Sequence, residues 1–135
     1  LEVEAGGIFL LEPDGETMTL GVHRGLSDEF VESVRHIKLG EGISGRAAAE
    51  RQVIVLDVAD YPTERLAPVI IEAGFQTLAS TPLVSGGELV GALNVGTRRV
   101  RAFQALRFRT YDVERRLLLR LATLRHPRSG RRGHP

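Results

Sequence analysis

Apolar residues along the chain fall in short runs whose period changes from one run to the next. Gly7, Ile8, Phe9, Leu10 and Leu11 form a compact apolar run closed by Glu12, Pro13, Asp14 and Gly15, which predicts a strand followed by a turn. Thr17 to Val22 alternates in character, so the two segments predict a hairpin with one buried face. Ser27 ahead of Asp28 and Glu29 supplies an N-cap and two acids at a helix start, and Phe30, Val34 and Ile37 continue at near-helical spacing. Beyond the glycine-rich stretch 40–45, Arg46, Ala47, Ala48, Ala49 and Glu50 are strong helix formers. Val53 to Leu56 is a β-branched strand run ended by Asp57 and a loop holding Asp60, Tyr61 and Pro62. Leu66, Val69, Ile70 and Ala73 stand at i, i+3, i+4 and i+7 before Gly74, which predicts a third helix.

Two further strands are predicted over Phe75 to Leu83 and Leu89 to Val95, joined by Ser85, Gly86, Gly87 and Glu88. A last helix is predicted over roughly 104–124, with Val113, Leu117, Leu121 and Leu124 on one face. Residues 125–135 are Arg, Gly, Pro and His without periodicity and are expected to be a disordered basic tail. The expected fold class is therefore α+β in a single domain over 1–124.

Composition narrows the chemistry. With 135 residues, 42% hydrophobic and 26% charged, the chain has the size and balance of one globular domain. No apolar run approaches the ~20 residues of a spanning helix, and Leu1, Glu2, Val3, Glu4 lack the basic residues of a signal peptide, so a cytoplasmic location is expected. The absence of cysteine removes disulfides, thiolate nucleophiles and Cys-ligated zinc. A net charge of +1 conceals a polarity: residues 1–97 carry six Lys/Arg against 15 acids, net −9, and residues 98–135 carry 12 Arg against two acids, net +10. An arginine-rich end is compatible with a nucleic-acid contact, the weakest of the partner readings, or with a basic end on an acidic body.

Four stretches carry a family resemblance. They are Gly6 to Leu11 with its Pro13-Asp14-Gly15 turn, Leu39 to Ala48, Gly74 to Leu83, and Gly87 to Val95. In this order and at these separations, over about residues 5–103, the chain resembles a GAF domain of the bacterial signalling type. The resemblance implies a central antiparallel sheet with helices on both faces. It also implies a ligand pocket between one face and the mid-chain helices and loops. The family's leading helix has no counterpart ahead of Gly6, so the apolar face of the last helix is expected to pair with a second subunit or with segments absent from this chain. After Phe103 the family's acidic helix is replaced by arginines.

The candidate site residues are His23, Ile43, Asp57, Asp60, Tyr61, Ser80 and Asn94. His23 near the end of the second strand is a candidate haem or metal donor, or else a rim histidine, since His36, His126 and His134 lie in a loop and the tail. The stretch Gly40-Glu41-Gly42-Ile43-Ser44-Gly45 offers amides at a helix start but lacks the Lys-Ser/Thr of a phosphate loop, leaving a tight turn as its other reading. Asp57, Asp60 and Tyr61 fall where the family's pocket is roofed, and the two aspartates serve equally as cap and turn residues. Ser80 and Asn94 are polar residues on apolar central strands, and a buried amide needs partners. The family's bilin attachment and its methionine sulfoxide reductases depend on cysteine, which this chain lacks. Against the family's cyclic-nucleotide signature of Asn-Lys, Phe and Asp-Glu, the chain shows Thr97-Arg98, Phe103 and Arg107-Phe108, so the phenylalanine alone survives. No triad, metal pair or carboxylate dyad emerges. The expected function is a non-catalytic sensor that binds a small molecule and signals through the terminal helix and a homodimer interface to an attached output domain, with no cofactor specified. A ligand-free dimerisation module is the alternative.

Overall fold

A computed structural model describes residues 4–62, 64–98 and 111–112. Strands β1 (Ala5–Leu11), β2 (Thr17–Arg24), β3 (His36–Lys38), β4 (Ile54–Asp57), β5 (Thr77–Ser85) and β6 (Glu88–Thr97) pair antiparallel in the order β3-β2-β1-β6-β5-β4. Helices α1 (Asp28–Val34), α2 (Gly42–Glu50) and α3 (Ala67–Glu72), with a 3-10 turn at Val58–Asp60, fill the middle of the chain. This is the α+β arrangement that the pattern of runs predicts.

Local chemistry accounts for the joints. At the β1–β2 turn, Asp14 Oδ1 accepts from the N–H groups of Glu16 and Thr17 at 2.9 Å each, and Oδ2 accepts from Thr17 Oγ1 at 2.7 Å. These bonds hold the carboxyl below its usual range, the Glu16 amide contributing most. Gly86 and Gly87 take φ of 58° and 84° between β5 and β6, a backbone region that side chains with a Cβ resist. Ser27 caps α1 by accepting from Phe30 N–H at 3.1 Å.

One core joins sheet and helices. Phe9, Met18, Leu20, Leu78 and Ala92 of the strands pack with Val34, Ile43, Ala48 and Ile70 of the three helices and with Leu66 just ahead of α3. A fully buried side chain of this kind contributes about 1.5–3 kcal/mol. The sheet's other face carries Ile8 opposite Leu93 and Gly6 opposite Val95, with Thr81 and Ala79 continuing those rows on β5. The helices expected over that face belong to 104–124, which lies outside the described residues apart from 111 and 112.

Three expectations change. Ile37 does not extend α1: the helix ends at Val34, and Ile37 is buried in β3 opposite Met18. His36, expected in a loop, belongs to the same strand, where pairing with β2 uses backbone groups that a longer helix would have withdrawn. Tyr111–Asp112, expected inside the last helix, form a short strand, β7, parallel to β5 at Leu83 and Val84. The cause is an open edge. β4 covers β5 only from Thr77 to Ser80, so the edge beyond it offers unpaired backbone groups to whichever segment reaches it.

Candidate functional site

Beneath α1, α2 and α3 the sheet floors a cavity of about 40 Å³. Its floor is the middle of β1 and β6, its side walls include Leu20, Phe30, Phe75 and Leu78, and its roof is Ile43, Tyr61, Leu66 and Ile70. The floor is low because of glycine: a Cβ on Gly7 would stand 2.8 Å from Leu20 Cδ1. No ionised side chain is among the residues that line it.

Asn94 is the polar feature of the floor. Its cross-strand neighbours are Gly7, which has no side chain, and Ser80. The Ser80 hydroxyl is turned elsewhere, toward the Leu93 carbonyl at 3.3 Å and Ser44 Oγ at 3.5 Å. Asn94 Oδ1 is thereby buried with no hydrogen-bond partner. Leaving such a group unpaired costs about 1–3 kcal/mol.

The roof is fastened by ion pairs around the start of α2. Glu64 Oε2 accepts from Gly42 N–H at 2.8 Å, and its Oε1 accepts from Arg46 Nη1 at 3.1 Å. A carboxylate from a distant loop thus fills the anion position at the helix N-terminus, where Glu41, the N-cap residue, offers no side-chain cap of its own. Glu41 instead accepts from Arg65 Nε at 2.7 Å and Lys38 N–H at 3.1 Å, and the Arg65 bond chiefly holds its carboxyl below the usual range. Burial, with the Glu64 charge adding to it, pushes the Tyr61 phenol up to about 12. Its oxygen accepts from Ile43 N–H, and at neutral pH it keeps its own proton to donate.

Behind the wall, Phe75 meets Phe30 edge-on, with ring centroids 5.9 Å apart. The Arg98 guanidinium covers the Phe75 ring at 4.7 Å and donates to the Ala73 carbonyl at the end of α3 through Nε at 3.2 Å and Nη2 at 3.0 Å. Arg98, which stands where the cyclic-nucleotide signature has a lysine, is therefore spent on capping a helix and stacking.

The structure brings three of the seven sequence candidates together at the cavity: Ile43, Tyr61 and Asn94. Ser80 is fully buried beneath α2 but does not line the space. His23, Asp57 and Asp60 are exposed and outside it. Asp57 Oδ1 accepts from Thr77 Oγ1 at 3.3 Å across the β4–β5 pair. Among the described residues no group of three or more His, Asp or Glu side chains is placed to hold a metal ion. Sequence reasoning passed over Glu64, Phe30 and Phe75. The aromatic pair looks like ordinary core, and nothing local to Glu64 signals a helix that begins 22 residues earlier.

A curled antiparallel sheet with its cavity roofed by mid-chain helices defines a small α+β module. The chain belongs to the GAF domain family, whose model matches residues 1–123. A domain from a protein assigned as a two-component sensor histidine kinase of Sinorhizobium meliloti 1021 is similar at 24% identity and a TM-score of 0.60, over 98% of this chain and 86% of that one. A protein assigned as a GAF sensor from Burkholderia vietnamiensis is similar at 26% identity and a TM-score of 0.56, over 71% of this chain and 55% of that one. Free methionine-R-sulfoxide reductase from Neisseria meningitidis, in complex with its substrate, shares the fold at 19% identity and a TM-score of 0.63, over 97% of this chain and 71% of that one. No curated protein matches the chain. GAF domains are regulatory sensor domains of signalling proteins. The fold also serves an enzyme among these neighbours. No helix among the described residues is long and apolar enough to cross a membrane.

Proposed function

We propose that this domain is a non-catalytic sensor that takes a small molecule into the cavity above Asn94 and passes its occupancy to an attached output domain. The observation that carries the reading is the unpartnered Asn94 Oδ1 in a cavity otherwise lined by apolar side chains, backbone and two hydroxyl groups. A core selected for packing alone gains nothing from an amide there, since an apolar side chain of similar volume would avoid the penalty. Functional sites are where such local costs are retained. Ile43 and Tyr61 complete the site. Signalling follows from the roof, because α2 and the 61–66 segment meet at the Glu64–Gly42 contact and any ligand larger than the cavity separates them. The reading extends to a cytoplasmic protein that pairs as a homodimer.

A second reading, a ligand-free dimerisation module, is favoured by the volume. A water occupies about 30 Å³ of liquid and benzene has been held in a cavity of about 150 Å³. The 40 Å³ here lies near the lower figure. Native mass spectrometry of the protein as purified separates the two readings. A non-covalent small-molecule adduct that disappears in Asn94→Leu is the expected result. Adduct-free protein that becomes more stable in Asn94→Leu overturns the sensor reading in favour of packing.

A further inference from the structure

The lining of the cavity constrains the chemistry of whatever fills it, and this constraint rests on the sensor reading above. An anion entering beneath α2 would look for helix N-terminal amides, which in many proteins form a ready anion site. Here that position is filled: Gly42 N–H donates to Glu64, and Ile43 N–H donates to the Tyr61 oxygen. The Arg46 guanidinium is committed to Glu64 and Arg98 to the Ala73 carbonyl, so neither presents a free charge to the space. A cation fares no better, because no carboxylate lines the cavity. Moving an unpaired ion from water into such surroundings costs several kcal/mol.

The neutral polar groups that remain are complementary to one kind of molecule. Asn94 Oδ1 on the floor lacks a donor, and the Tyr61 hydroxyl on the roof has a proton to give. Between them the walls are apolar. We infer that the cavity of this domain binds an uncharged ligand of a few heavy atoms, an alcohol or primary amide, whose O–H or N–H donates to Asn94 Oδ1 while its alkyl part rests among Leu20, Ile43 and Leu78. The polarity follows from which atom is left without a partner, and a ligand of a few heavy atoms exceeds the resting volume of about 40 Å³, so its entry separates the roof as the sensor reading requires.

Four probes of nearly equal shape separate these elements: 2-propanol, acetone, acetate and isopropylammonium. Each is titrated into the 15N-labelled protein and followed through the backbone amides of Gly7, Ile43 and Gly96. 2-Propanol is expected to shift all three and to bind at least about fivefold more tightly than acetone, which has an acceptor but no donor. It is expected to exceed both ions by a larger factor. Acetone equal to or tighter than 2-propanol overturns the assigned donor direction. Acetate or isopropylammonium binding as tightly as 2-propanol overturns the uncharged class, while leaving the cavity a binding site. No shift with any of the four overturns the sensor reading itself, and this inference with it.

Discussion

Two hollows lie on either side of Phe30. Inward is the cavity of about 40 Å³ with its uncharged lining. Outward is an open groove of about 680 Å³ between α1 and α3, edged by Asp28, Glu29, Glu32 and Glu72. By volume the groove is the larger, yet it has the character of a solvated surface: its acids sit on exposed helix faces, where water satisfies them and screens their charge. The cavity is small and roofed by helices, and it holds a buried polar atom that nothing in the protein satisfies. Function is expected where a group has been left incomplete, which volume alone does not reveal.

The sharpest way to break this contrast is to cut one side chain from each hollow. Phe75 is 4% exposed, touches Phe30 edge-on and supports Arg98, so Phe75→Ala is expected to cost about 3–5 kcal/mol in urea unfolding. Glu72→Ala on the rim of the groove is expected to change stability by no more than about 0.5 kcal/mol. A loss above about 2 kcal/mol for Glu72→Ala would mean that the groove is an integral part of the fold.

A smaller effect tests how the roof is held. Glu64→Ala leaves Gly42 N–H without its acceptor and Arg46 without its partner, a loss comparable to removing an N-cap, about 0.5–2 kcal/mol. Glu64→Gln keeps an oxygen for Gly42 and is expected to recover part of the loss. If the two variants are equally destabilised, the ion pair rather than the cap secures α2.

Much of this was legible in the chain because the signals are local. The Ser27 cap, the Pro13-Asp14-Gly15 turn and the Gly86-Gly87 turn each fix their element through atoms within a few residues, and the α3 stripe of Leu66 and Ile70 reports its own buried face. What was missed depends on distant partners. Ile37 has helical spacing from Phe30, but the edge of β2 claims it for a strand, and Tyr111 is drawn to β5 by an edge that β4 leaves open. In the site the same division holds. Asn94 stands out as an amide on an apolar strand, and its floor position follows from strand parity. His23 drew attention as a histidine near a strand end, and Asp57 and Asp60 by the family resemblance that puts them at the pocket roof, but the ends of strands and turns leave all three in water. Glu64 escaped notice because its role exists only once α2 has been brought against it.

Tyr61 reads the closure of the roof directly. Its phenol ionises at about 12 in the folded protein because burial and the nearby Glu64 carboxylate oppose the phenolate, against about 10 for an unperturbed tyrosine. Above pH 10 the unfolded chain releases this proton before the folded one does, so folding stability is fully present below pH 10 and is lost as pH rises toward 12. The background is light, since the chain has 2 tyrosines and Lys38 is its sole lysine. The urea midpoint is therefore expected to fall between pH 10 and 12, and to fall less steeply in Tyr61→Phe. Equal slopes in the two proteins would show that the roof opens freely enough for the phenol to titrate as it does in water. The contrast between a roofed cavity and an open groove would then fail at its upper wall.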